Sequence, residues 1–206
     1  MIYDSVIFDL DGTLWDSTET VYRTWSKVLS EQPDIQNVPG GKDLESHMGL
    51  SSDVLMKSLF PYISEERGQE IFDKCCEAEN IELIKHGAKL YPDVEPLFAS
   101  LTEEVKIFIV SNCGRGYIEA FIDSNNFRKY FTDWESFGGT NKPKSENIKL
   151  IVERNHLEKP VYVGDTMWDY NSATDAGVPF IFAEYGFGDV KGVPSIASPI
   201  ELLSLI

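Results

Sequence analysis

Four short apolar runs rich in β-branched residues recur along the chain, and they constrain its fold more than any other feature. The runs are Ser5–Phe8, Val105–Val110, Val161–Val163 and Val178–Phe182, and a weaker candidate is Asp133–Phe137. Their length and composition are typical of strands buried on both faces of a parallel sheet. The segments between them, such as Tyr117–Asn125 and Glu146–Asn155, are predicted to be helices. Alternating strands and helices predict an α/β fold, with a parallel sheet and helices on both faces.

A long stretch without a comparable strand follows the first run. Its predicted helices are Thr18–Ser30, Lys42–Leu59 and Glu65–Ile84. In the first of them, apolar residues such as Trp25 recur at helical spacing, which indicates packing within a helical subdomain. We therefore expect a helical insertion between the first strand and the rest of the sheet.

The charge of the chain excludes several classes of partner. Lys and Arg number 18 against 34 Asp and Glu, which gives a net charge of −16. Nucleic acids and anionic membranes bind basic patches, so neither is expected as a partner. No apolar stretch approaches the roughly 20 residues that span a bilayer, and the first residues carry no basic segment, so a cytoplasmic location is expected. The three cysteines, two of them adjacent, do not suggest a disulfide framework or a zinc site.

Polar residues follow three of the predicted strands where each strand ends. They are Asp9 and Asp11 after the first, Ser111 and Asn112 after the second, and Asp165 with the nearby Asp169 after a third. Ligands of open parallel sheets bind beyond the carboxyl ends of the strands, so these side chains should share one edge. The alternative interpretation is that these residues are turn residues or helix caps. That is reasonable for any one of them, but it is much weaker for all three strand ends together.

Four carboxylates at one sheet edge require a cation. Oxygen ligands, with positions left for water and phosphate oxygens, suit Mg²⁺. With that charge in place, Asp9 can attack a phosphoryl group and form an aspartyl phosphate. Asp11 can turn back toward the same pocket, since Gly12 relieves the chain sterically, and is the candidate acid and base.

Four motifs give the chain a resemblance to a known family. They are Asp9-Leu10-Asp11-Gly12-Thr13-Leu14, Ser111-Asn112, Lys142-Pro143-Lys144, and Gly164-Asp165-Thr166-Met167-Trp168-Asp169 with Ala176-Gly177 downstream. In this order they resemble the four motifs of the haloacid dehalogenase superfamily. The dehalogenases themselves lack the second aspartate of the first motif, so Asp11 favours phosphoryl transfer.

The resemblance implies a Rossmann-like core at residues 1–15 and 87–206. It also implies a helical cap domain at 16–86, as in phosphoglycolate phosphatase-like members. The implied activity is that of a Mg²⁺-dependent phosphatase acting on a small phosphorylated metabolite. The substrate itself and the oligomeric state are left open.

The resemblance also implies roles for individual residues. Asp9 would be the nucleophile and Asp11 the acid and base. Asp9, the backbone carbonyl of Asp11 and Asp165 would hold Mg²⁺, with Asp169 supporting them. The phosphoryl oxygens would be bound by Ser111 and by the Asn112 N–H group.

The third motif leaves two candidates for the lysine that holds the nucleophile and the phosphate together. Lys142 fits the Lys-Pro spelling, whereas Lys144 lies closer to the start of the following helix. Both are carried as candidate catalytic and phosphate-binding residues.

Three other functions remain as alternatives. A sugar phosphomutase shares the core motifs, but related mutases carry an arginine near Gly49-Leu50-Ser51-Ser52-Asp53, where Ser52 stands here. A pyrophosphatase of the same fold is the second. A non-enzymatic phospho-acceptor domain is the third. Domains of that kind lack a long insertion after the first strand, which this chain has, so the insertion disfavours this alternative.

Overall fold

The computed structural model describes residues 2–41 and 52–206. The first ten residues of the helix predicted at Lys42–Leu59 lie outside this range, as does most of the Gly49–Asp53 segment used against the mutase. Within the described part, no helix is both long and apolar enough to cross a membrane.

Six parallel strands form the main sheet, and they confirm the predicted α/β class. The strands are β1 (Ser5–Phe8), β4 (Lys106–Ser111), β5 (Phe131–Ser136), β6 (Pro160–Gly164), β7 (Phe180–Ala183) and β8 (Ser195–Ile196). Their order is β5-β4-β1-β6-β7-β8. All five predicted strands are present, and the weak candidate is shifted to begin at Phe131. The two-residue strand β8 has no apolar run that could have predicted it.

Helices cover both faces of this sheet or form the insertion. They are α1 (Thr18–Ser30), α2 (Ser52–Leu59), α3 (Glu65–His86), α4 (Val94–Leu101), α5 (Tyr117–Asn125), α6 (Phe137–Thr140), α7 (Lys144–Arg154) and α8 (Met167–Ala176), with a 3₁₀ helix at Pro199–Ser204. The helix predicted at Glu146–Asn155 begins two residues earlier, at Lys144, directly after Pro143. This shift places Lys144 in the first turn, which matters for the site.

The buried side chains form two clusters, one on each face of the sheet. In β1, Val6 and Phe8 belong to one cluster and Ile7 to the other. β4 and β6 alternate in the same way, as expected for strands covered on both faces. The larger cluster continues through Trp15 and Tyr117 into the inserted helices α1, α2 and α3. Apolar packing therefore joins the insertion to the sheet.

The chain enters and leaves the insertion at one place. The two-residue strands β2 (Trp15–Asp16) and β3 (Lys89–Leu90) pair antiparallel at this point. Gly87, at the C-cap of α3, takes a positive φ of 66° just before β3. These crossings support the proposed division into a core (1–15 and 87–206) and a cap (16–86).

Candidate active site

The sheet register brings three polar strand ends to the same level. β1 lies between β4 and β6, and Phe8 is paired with both Ile109 and Val163. Asp9 follows β1 directly, Ser111 ends β4, and Asp165 follows β6. All three side chains are buried. The edge expected from the sequence therefore exists, and it is formed by the central strands.

A compact group of carboxylates lies at this edge. Asp9, Asp165 and Asp169 each offer an oxygen, and these oxygens all lie within 4.8 Å of one another. Lys144 Nζ donates to Asp9 Oδ1 at 2.8 Å and to Asp169 Oδ1 at 2.6 Å. Its side chain is almost fully buried, whereas Lys142 is exposed. Of the two candidate lysines, the structure thus brings Lys144 to the carboxylates.

Burial and mutual repulsion dominate the electrostatics of this group. Burial, followed by the charge of Asp169, raises the pKa of Asp9 to about 7 although Lys144 opposes the rise. The same two causes raise the pKa of Asp165 to about 8. Burial opposes the charge of Lys144, but Asp169 and Asp9 outweigh it and raise its pKa well above the usual range. One lysine therefore does not neutralise the three acids.

The donor set fits a hard divalent cation. It consists of carboxylate oxygens only, which are ligands that Mg²⁺ prefers, and the combined negative charge of the carboxylates favours binding of a cation. Asp169 is tied both to Lys144 and to the N-terminal cap of α8. Both Asp169 oxygens already accept hydrogen bonds, Oδ1 from Lys144 and Oδ2 from the backbone and hydroxyl of Thr166. Asp169 therefore fits the supporting part that the resemblance implies.

Asp165 is enclosed by a glycine-rich loop that the sequence reasoning missed. Phe187 N donates to Asp165 Oδ2 at 2.8 Å, and Thr13 Oγ1 lies 3.3 Å from Oδ1. A Cβ on Gly186 would lie 2.3 Å from Asp165 Cβ, and one on Gly12 would lie 2.1 Å from Oδ2. The Gly186-Phe187-Gly188 sequence, shortly after β7, is the signal that could have indicated a close backbone approach.

Asp11 lies apart from the carboxylate group and is held by two hydroxyl groups. Its Oδ1 accepts from Ser17 Oγ at 2.6 Å and from Tyr117 OH at 2.9 Å. Burial raises the pKa of Asp11 to about 6, although both hydrogen bonds act to lower it. A carboxyl group that titrates near neutral pH can both give and take a proton in one catalytic cycle.

Tyr117 is a second residue that the sequence reasoning missed. It begins α5, is buried, and its hydroxyl also lies 2.6 Å from Ser17 Oγ. No local motif marks it, because its partner Asp11 is 106 residues away. Ser17 lies at the start of the segment 16–86 that is assigned to the cap, and no sequence motif marks it either.

Sequence comparisons match most of the chain. Residues 6–183 match the family described as haloacid dehalogenase-like hydrolase. A phosphoglycolate phosphatase of Salmonella typhi is 27% identical, over 88% of this chain and 81% of that protein. The phosphoglycolate phosphatase of Escherichia coli K12 is 25% identical with the same coverage.

Solved structures share the fold over nearly the full length. A predicted phosphatase from Clostridium acetobutylicum has a TM-score of 0.85 at 22% identity and covers 100% of this chain, which covers 98% of it. A predicted phosphoglycolate phosphatase from Haemophilus somnus has a TM-score of 0.85 at 16% identity, with the same coverage. At these identities the likeness concerns the fold.

Proposed function

The chain belongs to the haloacid dehalogenase-like hydrolases and is a phosphoric monoester hydrolase, and we propose that it uses Asp9 and Mg²⁺ to cleave the phosphate ester of a small metabolite. The observation that best supports this proposal is the position of the Lys144 ammonium group, which lies between Asp9 and Asp169 with Asp165 beside them. A cytoplasmic location stays a prediction.

Asp9 is the nucleophile in this proposal. Its carboxylate oxygen forms a bond to phosphorus, and the ester P–O bond breaks, so its electron pair passes to the leaving oxygen. Lys144 orients Asp9 through the 2.8 Å hydrogen bond. Ser111, at the end of β4, and the Asn112 N–H group bind the phosphoryl oxygens. Asp9, Asp165 and the Asp11 backbone carbonyl would hold Mg²⁺, which when bound offsets the negative charge of the reacting groups.

Asp11 serves both halves of the cycle. Protonated, it gives its proton to the leaving oxygen, so that a neutral alcohol departs. It then takes a proton from the water that attacks the aspartyl phosphate, which releases inorganic phosphate and restores Asp9. The pKa of about 6 allows both states near neutral pH. Asp11 must turn from Ser17 and Tyr117 to reach the leaving group, and closure of the cap would accompany this turn.

A screen of phosphorylated metabolites, with phosphate release as the readout, tests the proposal. Wild-type protein should hydrolyse at least one ester with Mg²⁺, lose the activity with EDTA, and recover it with Mg²⁺ better than with Ca²⁺. Asp9→Asn keeps the shape but removes the attacking charge, so kcat should fall at least about a thousandfold.

Asp175→Asn is the matched control, because Asp175 is an exposed aspartate of α8. This variant should retain wild-type activity. Retention of a tenth of the activity by Asp9→Asn, or full activity in EDTA, would contradict the proposal.

A further inference from the structure

Trp15 carries a buried hydrogen-bond donor that the proposed mechanism does not use. Its side chain is fully buried, and its indole Nε1 has no hydrogen-bond partner among residues 2–41 and 52–206. The indole groups of Trp25 and Trp134, by contrast, donate to Glu79 and Glu119. A buried donor without a partner is costly, because it has given up its hydrogen bonds to water. A group kept at this cost suggests an acceptor that reaches it in another position of the site.

The turn after β1 places Trp15 next to Asp11. Gly12 N donates to the backbone oxygen of Trp15 at 2.9 Å, and Asp11 and Trp15 pair through a single β-bridge. Tyr117 contacts both residues, since its hydroxyl donates to Asp11 Oδ1 at 2.9 Å and its ring lies edge-on to the Trp15 ring at 5.7 Å between centroids. Phe121, also on α5, packs against the same indole at 5.0 Å. The backbone and α5 therefore fix the indole beside the candidate acid and base.

The carboxylate of Asp11 is the acceptor that lies close to this donor. Burial raises the pKa of Asp11 to about 6, and Trp15 is one of three side chains whose hydrogen bonding acts against this rise. The indole N–H group thus lies near the carboxylate, but it is not aligned for a hydrogen bond in the observed position. There, Asp11 Oδ1 faces the hydroxyl groups of Ser17 and Tyr117 instead.

A turn of Asp11 toward a leaving group changes which donors it can use. Asp11 then gives up both hydroxyl groups, and Ser17 and Tyr117 can pair with each other, since their oxygens lie 2.6 Å apart. One carboxyl oxygen of Asp11 faces the leaving oxygen, and the other needs a donor in a space with little water. Of the three side chains near Asp11, Trp15 is the one whose donor is still unpaired.

We propose that Trp15 is a positioning residue for the acid and base: its indole N–H group donates to Asp11 once Asp11 has turned toward the leaving group, and holds it there. The inference rests on the proposed function, because it requires Asp11 to act on a leaving oxygen. It explains why a fully buried donor is unpaired in the observed position. Trp15 acts through Asp11, so it should affect the departure of the leaving group more than the binding of the phosphate group.

The indole N–H signals in a proton–nitrogen correlation spectrum report such a hydrogen bond directly. The chain has four tryptophans, and Trp15→Phe identifies the signal of Trp15. The probe is orthovanadate with Mg²⁺, because five-coordinate vanadium bound to Asp9 carries an oxygen in the position of the leaving oxygen. The Trp15 proton should then move downfield, as expected for a hydrogen bond to a carboxylate. In Asp11→Ala it should not move, because the acceptor is absent.

A comparison of two leaving groups tests the role of Trp15 in the reaction. Phenyl phosphate and p-nitrophenyl phosphate are similar in shape, but nitrophenolate leaves without a proton far more readily than phenolate. Trp15→Phe should therefore lower kcat/KM about tenfold for phenyl phosphate and much less for p-nitrophenyl phosphate. A packing defect alone would lower both values alike. Trp134→Phe is the matched control, since Trp134 donates to Glu119 at 3.0 Å, and it should leave both values unchanged.

The possible failures are distinguishable. If the wild type hydrolyses phosphate esters but the Trp15 signal does not respond to vanadate, or responds equally in Asp11→Ala, the inference is wrong and the proposed function stands. Equal losses for both aryl esters would also overturn the inference. If Trp15→Phe does not fold, or neither aryl ester is a substrate, the response to vanadate decides, with the Trp15 signal assigned by elimination from Phe variants of the other three tryptophans. If the wild type hydrolyses no ester in the metabolite screen and binds no vanadate, the proposed function and this inference both fail.

Discussion

At the scale of single residues, the sequence predicts those site residues that a local pattern marks, and it misses those whose contacts lie far away in the chain. Asp9, Asp11 and Asp165 could be predicted because each follows an apolar run within two or three residues. The contacts of Tyr117 and the burial of Glu79 could not, because they depend on distant segments of the chain. In the sequence, Glu79 resembles any acidic position on an exposed helix face. Only the packing of α3 against α5 and the 113–116 loop shows that it is buried.

Tyr117→Phe should change the acidity of Asp11. The tyrosine hydroxyl lowers the pKa of Asp11, so its removal should raise that pKa above about 6. Asp11 must carry its proton when the leaving group departs, so the alkaline limb of the kcat/KM profile should move to higher pH. We expect a shift of about half a unit and a loss in kcat of about tenfold.

Tyr130→Phe provides the control for this prediction. Tyr130 has a half-buried ring, and its hydroxyl lies 3.4 Å from Glu95, outside the residues that hold Asp11. Its profile should superimpose on that of the wild type. An unshifted limb in Tyr117→Phe would mean that this hydrogen bond does not set the acidity of Asp11 in the free enzyme, and it would contradict the prediction.

At the scale of elements, strands were easier to predict than the turns that position the chemistry. Continuous apolar runs predict β1, β4, β6 and β7, because the side chains of these strands pack against protein on both faces of the sheet. The sequence predicts the start of α7 two residues too late, because Ser145-Glu146 resembles a helix start. In the structure Pro143 precedes the helix, which begins at Lys144. That small error is what left the choice between Lys142 and Lys144 open.

Methionine in place of each lysine tests the choice that the geometry favours. Lys144→Met removes the cation between Asp9 and Asp169 and leaves two buried carboxylates facing each other. Activity should fall about a hundredfold or more, and the free energy of unfolding should fall by about 3 kcal/mol. Lys142→Met removes an exposed charge and should change either quantity little.

The two variants are compared by kcat/KM and by urea denaturation. The opposite pattern, with Lys142→Met inactive and Lys144→Met active, would return the role to Lys142. Equal losses in both would mean that the loop before α7, rather than one ammonium group, is what catalysis requires.

At the scale of the whole molecule, an acidic protein must build a local site for a dianionic phosphate group. The net charge of −16 repels such a ligand at long range. Lys144, the backbone N–H groups at the strand ends and the proposed Mg²⁺ provide the opposing charge over a few ångströms. Asp9, Lys144 and Asp165 are buried, so water has little access to them. Low dielectric there strengthens each of these attractions.

Magnesium should therefore stabilise the fold, and more strongly at alkaline pH. Without metal, the pKa values of about 7 for Asp9 and about 8 for Asp165 exceed their unfolded values. The folded protein then binds more protons than the unfolded chain, so these groups lose stabilising effect as pH rises through 7 to 8. Mg²⁺ needs both carboxylates ionised, so it competes with protons at low pH and restores stability at high pH.

Thermal unfolding with and without Mg²⁺ measures this linkage without relying on catalysis. The rise in Tm caused by saturating Mg²⁺ should be larger near pH 8.5 than near pH 6. Asp165→Asn should lose most of the rise at both pH values, because it removes one proposed ligand, whereas Asp175→Asn should behave as the wild type. A rise that is equal at both pH values, or greater at the lower one, would show that the buried carboxylates are not the groups that bind the metal.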